Sequence, residues 1–147
     1  MSIEQSSCGW SPVQGGRYIW KRHNSSTPSS FNAPTNDHTY GTTQTGNYMF
    51  IDASAGSYAT DTRLVSPMFG NLSSTCSVSF AYYTNVGPFS MLSLYLYPPN
   101  SDPTTSSSNV FYRLWTSSRS VGSQWQNATV GIGSRDPGYK LAFVARN

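Results

Sequence analysis

The stretch Cys76-Ser77-Val78-Ser79-Phe80-Ala81-Tyr82 decides the fold class. Cys76, Val78, Phe80 and Tyr82 fall on one side of an extended chain, with small polar residues on the other. That period of two marks a half-buried strand. The next run, Met91-Leu92-Ser93-Leu94-Tyr95-Leu96-Tyr97, puts Leu92, Leu94 and Leu96 on one face and Ser93, Tyr95 and Tyr97 on the other. Lys140-Leu141-Ala142-Phe143-Val144 repeats the pattern, and shorter β-like runs lie at Val110 to Trp115 and Asn127 to Ile132. Asn47-Tyr48-Met49-Phe50-Ile51-Asp52 is apolar on both sides, which predicts a central strand covered on both faces. Between these runs stand loops rich in breakers: Gly15-Gly16, Asn85 to Pro88, Pro98 to Pro103 continuing to Ser108, and Arg135-Asp136-Pro137-Gly138. Short strands at this spacing, with no helical period, predict an all-β antiparallel sandwich or jelly roll. Trp10, Trp20, Tyr48, Phe80, Tyr82, Leu92, Leu94 and Phe143 are the expected core.

Composition narrows the function. The 147 residues make about one domain. Charged residues are 10% and aromatics 14%, so a disordered chain is excluded. No apolar run is long enough to span a bilayer. The net charge is +3, but the seven arginines and two lysines are scattered, with Lys21-Arg22-His23 the densest cluster. A nucleic-acid binder would carry a basic stripe, and none is seen. The six acids are Glu4, Asp37, Asp52, Asp61, Asp102 and Asp136. That number always permits some pair, so it does not argue for a glycosidase. His38 follows Asp37, yet no G-x-S-x-G elbow accompanies it. Gly131-Ile132-Gly133 lacks the third glycine and the helix of a dinucleotide site. No enzymatic activity is expected.

Cys8 and Cys76 are the only cysteines, which excludes a zinc cluster built on thiolates. One disulfide, two thiols or two half-bridges all remain open. Asn24-Ser25-Ser26, Asn71-Leu72-Ser73 and Asn127-Ala128-Thr129 each fit the N-glycosylation triplet, so Asn24, Asn71 and Asn127 are candidate acceptors and an oxidising compartment is favoured. Met1-Ser2-Ile3-Glu4 has neither the basic segment nor the apolar run of a secretory leader.

Several blocks in order resemble one family. Ile3-Glu4 followed by Cys8-Gly9-Trp10 is similar to the opening F-E-x-x-x-C-G-W of the MAM domain, found in meprins, neuropilins and receptor tyrosine phosphatases of the mu type. Ile19-Trp20-Lys21-Arg22 resembles its W-x-R. Asn36-Asp37-His38-Thr39 resembles its D-H-T, and Gly46-Asn47-Tyr48-Met49-Phe50-Ile51 its G-x-Y-M-x-[IV]. Arg63-Leu64-Val65-Ser66-Pro67 is similar to A-x-L-x-S-P, and Cys76 to Tyr82 to C-x-L-x-F-x-Y. Trp115, Trp125 and Val130 fit the late tryptophan pattern.

The resemblance implies one MAM-like jelly roll over residues 1–147, and by its pattern the domain is expected to be incomplete at both ends. The family's first cysteine falls at Met1, and its acidic closing strand and last cysteine would follow Asn147. Cys8 and Cys76 would then be disulfide positions without their family partners, and not bonded to each other. The resemblance also implies an extracellular or cell-surface role in adhesion, ectodomain assembly or homophilic dimerisation. The resemblance is compatible with a membrane-anchored parent protein, and no insertion by this domain itself is expected. Protein is the expected partner, not nucleic acid. One structural, calcium-like cation is expected at most, with Glu4 and Asp37 as ligands. The alternative is a carbohydrate-binding module on the same architecture, with Trp115 and Trp125 as stacking platforms.

Overall fold

The structure is a computed structural model, and it describes residues 6–14, 18–25, 33–43, 45–51, 61–84, 91–105, 110–117 and 124–146. Among these there is no helix. Nine strands follow one another: β1 (Ser11–Pro12), β2 (Lys21–Asn24), β3 (Asn47–Phe50), β4 (Asp61–Val65), β5 (Ser77–Tyr82), β6 (Met91–Tyr97), β7 (Tyr112–Thr116), β8 (Gln126–Gly131) and β9 (Lys140–Arg146). All pairings are antiparallel. Five strands form one sheet in the order β1-β4-β9-β6-β7, while β2 pairs with β3 and β5 with β8. This is the antiparallel jelly-roll β-sandwich that the alternating runs predict.

Layering follows from the alternation. In β6, Leu92, Leu94 and Leu96 face inward beside Ala145, Phe143 and Leu141 of β9. The β5–β8 ribbon lays Val78, Phe80 and Val130 over Leu94, Leu96 and Leu141, and Ile132 joins them just beyond β8. Each fully buried leucine contributes about 1.5–3 kcal/mol relative to exposure. Aromatic rings tie the layers together. Phe80 meets Phe143 at 4.8 Å and Trp115 at 5.0 Å, both edge to face, and Trp10 lies 5.3 Å from Phe143.

A bulge shapes the end of the sheet. Leu94 pairs with Trp115 but Tyr95 pairs with Arg113, so Leu114 is an extra residue on β7. An extra residue twists a strand and redirects its side chains. Here both Leu114 and Trp115 reach the core.

One expectation is corrected. β3, read as central and covered on both faces, pairs only with β2 among the described residues, and only Tyr48 and Gly46 of that neighbourhood are buried. The strands covered on both faces are β6 and β9. Their second face forms another cluster of Val65, Tyr97, Ala142 and Val144, flanked by Val13 and Tyr95. Of the expected core, Leu94 and Tyr48 are buried. Trp10, Phe80 and Phe143 are half-buried against the main cluster, and Trp20, Tyr82 and Leu92 are half-buried.

Candidate functional site

Two places gather polar or exposed groups that packing alone does not explain. The first centres on Asp37, which is 2% exposed. Its Oδ2 accepts hydrogen bonds from the amides of Thr39 at 2.7 Å and Tyr40 at 3.0 Å, closing a turn as aspartate side chains do. Its Oδ1 is buried with no hydrogen-bond partner among the described residues. Gly46 lies so close that a Cβ there would overlap the Asp37 carboxylate. Around this turn stand rings from distant segments. Trp125 donates its Nε1 hydrogen to the Asn36 carbonyl at 2.9 Å and packs edge-on against Tyr48, Tyr83 and His38. The Tyr48 hydroxyl donates to the Pro34 carbonyl at 2.8 Å, and His23 tilts against Tyr48 and Phe50. Burial, and secondarily the neighbouring Tyr83, push the Tyr48 hydroxyl above its ordinary pKa.

The second place is the outer face of the five-stranded sheet at its β7 end. Phe111 lies 4.8 Å from Tyr95 and 5.7 Å from Tyr97. Tyr97 is buried beneath it, and burial raises its hydroxyl pKa although the nearby Arg63 pulls the other way. Val110, Phe111 and Tyr112 are three consecutive large side chains left 48%, 44% and 55% exposed, and Met91 is 41% exposed. Arg63 donates to the Pro103 and Thr105 carbonyls, pinning the loop after β6. Asp102 accepts from the Thr104 hydroxyl and amide, and these bonds hold its carboxyl below the usual range. Arg146 makes a two-pronged pair with Asp61, which raises its own pKa.

The MAM domain family, described as meprin/A5/mu, matches residues 2–147. The chain belongs to the MAM family. It is 34% identical to human MAM domain-containing protein 2 over 95 residues, which are 65% of this chain and 13% of that protein. It is 28% identical to zebrafish neuropilin-1a over 138 residues, 94% of this chain and 14% of that protein. The chain therefore spans about one seventh of the length of these relatives.

The MAM blocks acquire physical roles in the structure. In Cys8-Gly9-Trp10, Cys8 has φ of 53° and Gly9 of 79°. A Cβ on Gly9 would lie 2.7 Å from Pro67 of the L-x-S-P block, so glycine lets the backbone settle there and aims Trp10 at Phe143. Ser66 answers from that block, its Oγ accepting the Leu141 amide at 2.8 Å. The D-H-T and G-x-Y-M blocks converge at Asp37 and Gly46.

The expected site residues separate. Glu4 lies outside the described residues, so only Asp37 of the expected cation pair has a described place. Its orphaned Oδ1 suits a cation. Among the described residues no three His, Cys, Asp or Glu side chains cluster, so backbone carbonyls would supply most of the oxygens a hard cation needs. Asn24, Asn71 and Asn127 all lie at exposed positions. Cys8 and Cys76 are both half-buried, with no disulfide between them. Trp115 and Trp125 are half-buried and packed edge-on against other rings, which makes them poor free platforms for a sugar. The exposed strip Val110 to Tyr112 escaped the sequence reading. Its signal was three large apolar residues in a row before Arg113, which breaks the alternation of a surface strand.

Proposed function

We propose that the chain is a non-catalytic, extracellular or cell-surface protein-interaction module, serving adhesion, ectodomain assembly or homophilic dimerisation. Membership of the MAM family supports this, and one observation carries it. Val110, Phe111 and Tyr112, three large side chains in a row at the start of the edge strand β7, stand 48%, 44% and 55% exposed. Apolar side chains gathered at a surface are a feature of protein-binding faces. A structural cation at Asp37 would act by holding the turn, with no part in chemistry. The three sequons fit a protein that meets the secretory pathway.

The test presents the multimerised chain to live cells and to itself on beads. Binding that survives deglycosylation of the cells and is lost after surface proteolysis supports the reading, and bead aggregation supports its homophilic form. Binding lost only to glycosidases would replace it with the carbohydrate-binding alternative. No binding to any cell type or to itself refutes it.

A further inference from the structure

The two outer faces of the sandwich differ in kind. On the β5–β8 ribbon the register puts Ser77, Ser79, Ala81, Asn127, Thr129 and Gly131 outward. That face carries no charge, Ser79 and Thr129 are hydrogen-bonded across it at 2.9 Å, and it holds the Asn127 sequon. On the five-stranded sheet the register places Arg63, Arg113, Lys140 and Arg146 on the outer face, with Asp61 and, in the adjoining loop, Asp102 as the carboxylates. Four cations against two acids leave a surplus of two positive charges there, most of the chain's +3. The cations are not equivalent. Arg146 is held by Asp61 and Arg63 by two carbonyls, whereas Arg113 is exposed on the edge strand with no hydrogen-bond or ion-pair partner among the described residues.

β7 also ends the sheet. Among the described residues it pairs with β6 alone. The Ser117 amide points at β6, donating to the Leu92 carbonyl at 2.7 Å. Backbone groups in an antiparallel ladder alternate in direction, so Thr116, one residue earlier, turns its N–H and C=O to the open side. Such an edge is a template for another strand.

We infer that the β7 edge, with Tyr112 and Arg113, receives an extended acidic segment of a partner protein as an added strand. This rests on the protein-interaction reading and gives it a place and a partner chemistry. Main-chain bonds at Thr116 supply pairing, Phe111 and Tyr112 supply apolar anchors, and Arg113 selects carboxylates. A second copy of the chain fits less well, because two cationic faces would oppose like with like.

The probes are peptides of about ten residues, long enough for one added strand, alternating Glu with Val or Lys with Val. Amide NMR should show the Glu peptide shifting Tyr112 to Thr116 and slowing exchange at the Thr116 amide, with the Lys peptide inert. The effect should vanish in R113E and fade at about 1 M salt, where screening reaches only ~3 Å. Shifts elsewhere, or none, overturn the inference. So does a heparin fragment that shifts β7 when the Glu peptide does not, or a concentration-dependent dimer that R113E abolishes. On target cells, Y112S/R113E should weaken binding at least about tenfold, in the range expected for loss of central interface anchors, while S79E on the opposite face should not. Wild-type binding by a folded Y112S/R113E chain overturns the β7 surface and leaves the module reading standing. Failure of the wild type to bind any cell overturns the module reading itself.

Discussion

Replacing Asp37 separates its two possible duties. Asp37→Ala removes the acceptor of two amide bonds, at 2.7 and 3.0 Å, in a part-buried turn. Hydrogen bonds to a charged group contribute about 1.5–3 kcal/mol each, and water recovers part of that at a turn, so a net loss of about 2–4 kcal/mol is expected. In a domain of this size each kcal/mol lowers Tm by about 2–4 °C, which makes the fall about 5–15 °C. Asp37→Asn keeps a carbonyl oxygen for the amides and should cost about 1 kcal/mol or less. Thermal unfolding with and without calcium then reads the orphaned Oδ1. If a cation sits there, calcium at about a hundred times Kd adds ~2.7 kcal/mol to the wild type and little to Asp37→Asn. Equal calcium shifts in both proteins would remove Asp37 from any cation site. A melting curve of Asp37→Ala that overlays the wild type would refute the turn-closing role as well. Gly46→Ala is a separate check, since its methyl must displace the carboxylate and should destabilise without altering any charge.

Leu94 is fully buried at the centre of the main cluster, so Leu94→Ala should cost about 3–5 kcal/mol, while Met91→Ala, three residues away and exposed, should stay within about 0.5 kcal/mol in the same urea titration. Tyr48 and Tyr97 have hydroxyl pKa values raised by burial, so their contribution is intact below the ordinary tyrosine pKa of about 10 and is lost as pH climbs through the raised values. Phenolate absorbance should show Tyr48 and Tyr97 titrating late, as the loss of the late phase in Y48F and Y97F would check, with stability falling over the same alkaline range. If all ten titrate together with no loss of stability, the burial argument fails.

The strands that alternate cleanly were legible because each lays a row of apolar residues on its inward face against the main core. β6 spans the residues its pattern marks, Met91–Tyr97, and β5 and β9 lie within a residue or two of theirs. The failure at β3 and the surprise at β6 share a cause. A run such as Tyr48-Met49-Phe50-Ile51 reads as covered on both faces because every side chain is apolar, yet its cover depends on what the chain brings from elsewhere. In β6, Tyr95 and Tyr97 share their face with Ser93, and what buries Tyr97 comes from elsewhere in the chain: Val65, Ala142 and Val144, and the ring of Phe111. Asp37 was named from its sequence block. That Gly46 and Trp125 crowd the same turn follows from contacts 9 and 88 residues away in sequence, which no local pattern carries.

The scarcity of charge that defines this chain divides fold from recognition. Its sandwich is held by apolar side chains and ring contacts, each aromatic pair adding about 0.5–1.5 kcal/mol beyond the area it buries. The Arg146–Asp61 pair is exposed, with side chains 52% and 29% accessible, and such pairs contribute at most about 1 kcal/mol. Salt therefore acts weakly on the fold. It acts strongly on Arg113, whose attraction for a carboxylate has to cross water before the two meet. A chain with few charges can leave Arg113, without an ion-pair partner among the described residues, on an otherwise uncharged edge strand and keep its field distinct from the background. On a surface crowded with lysine and glutamate the same arginine would be screened by its neighbours and would select nothing.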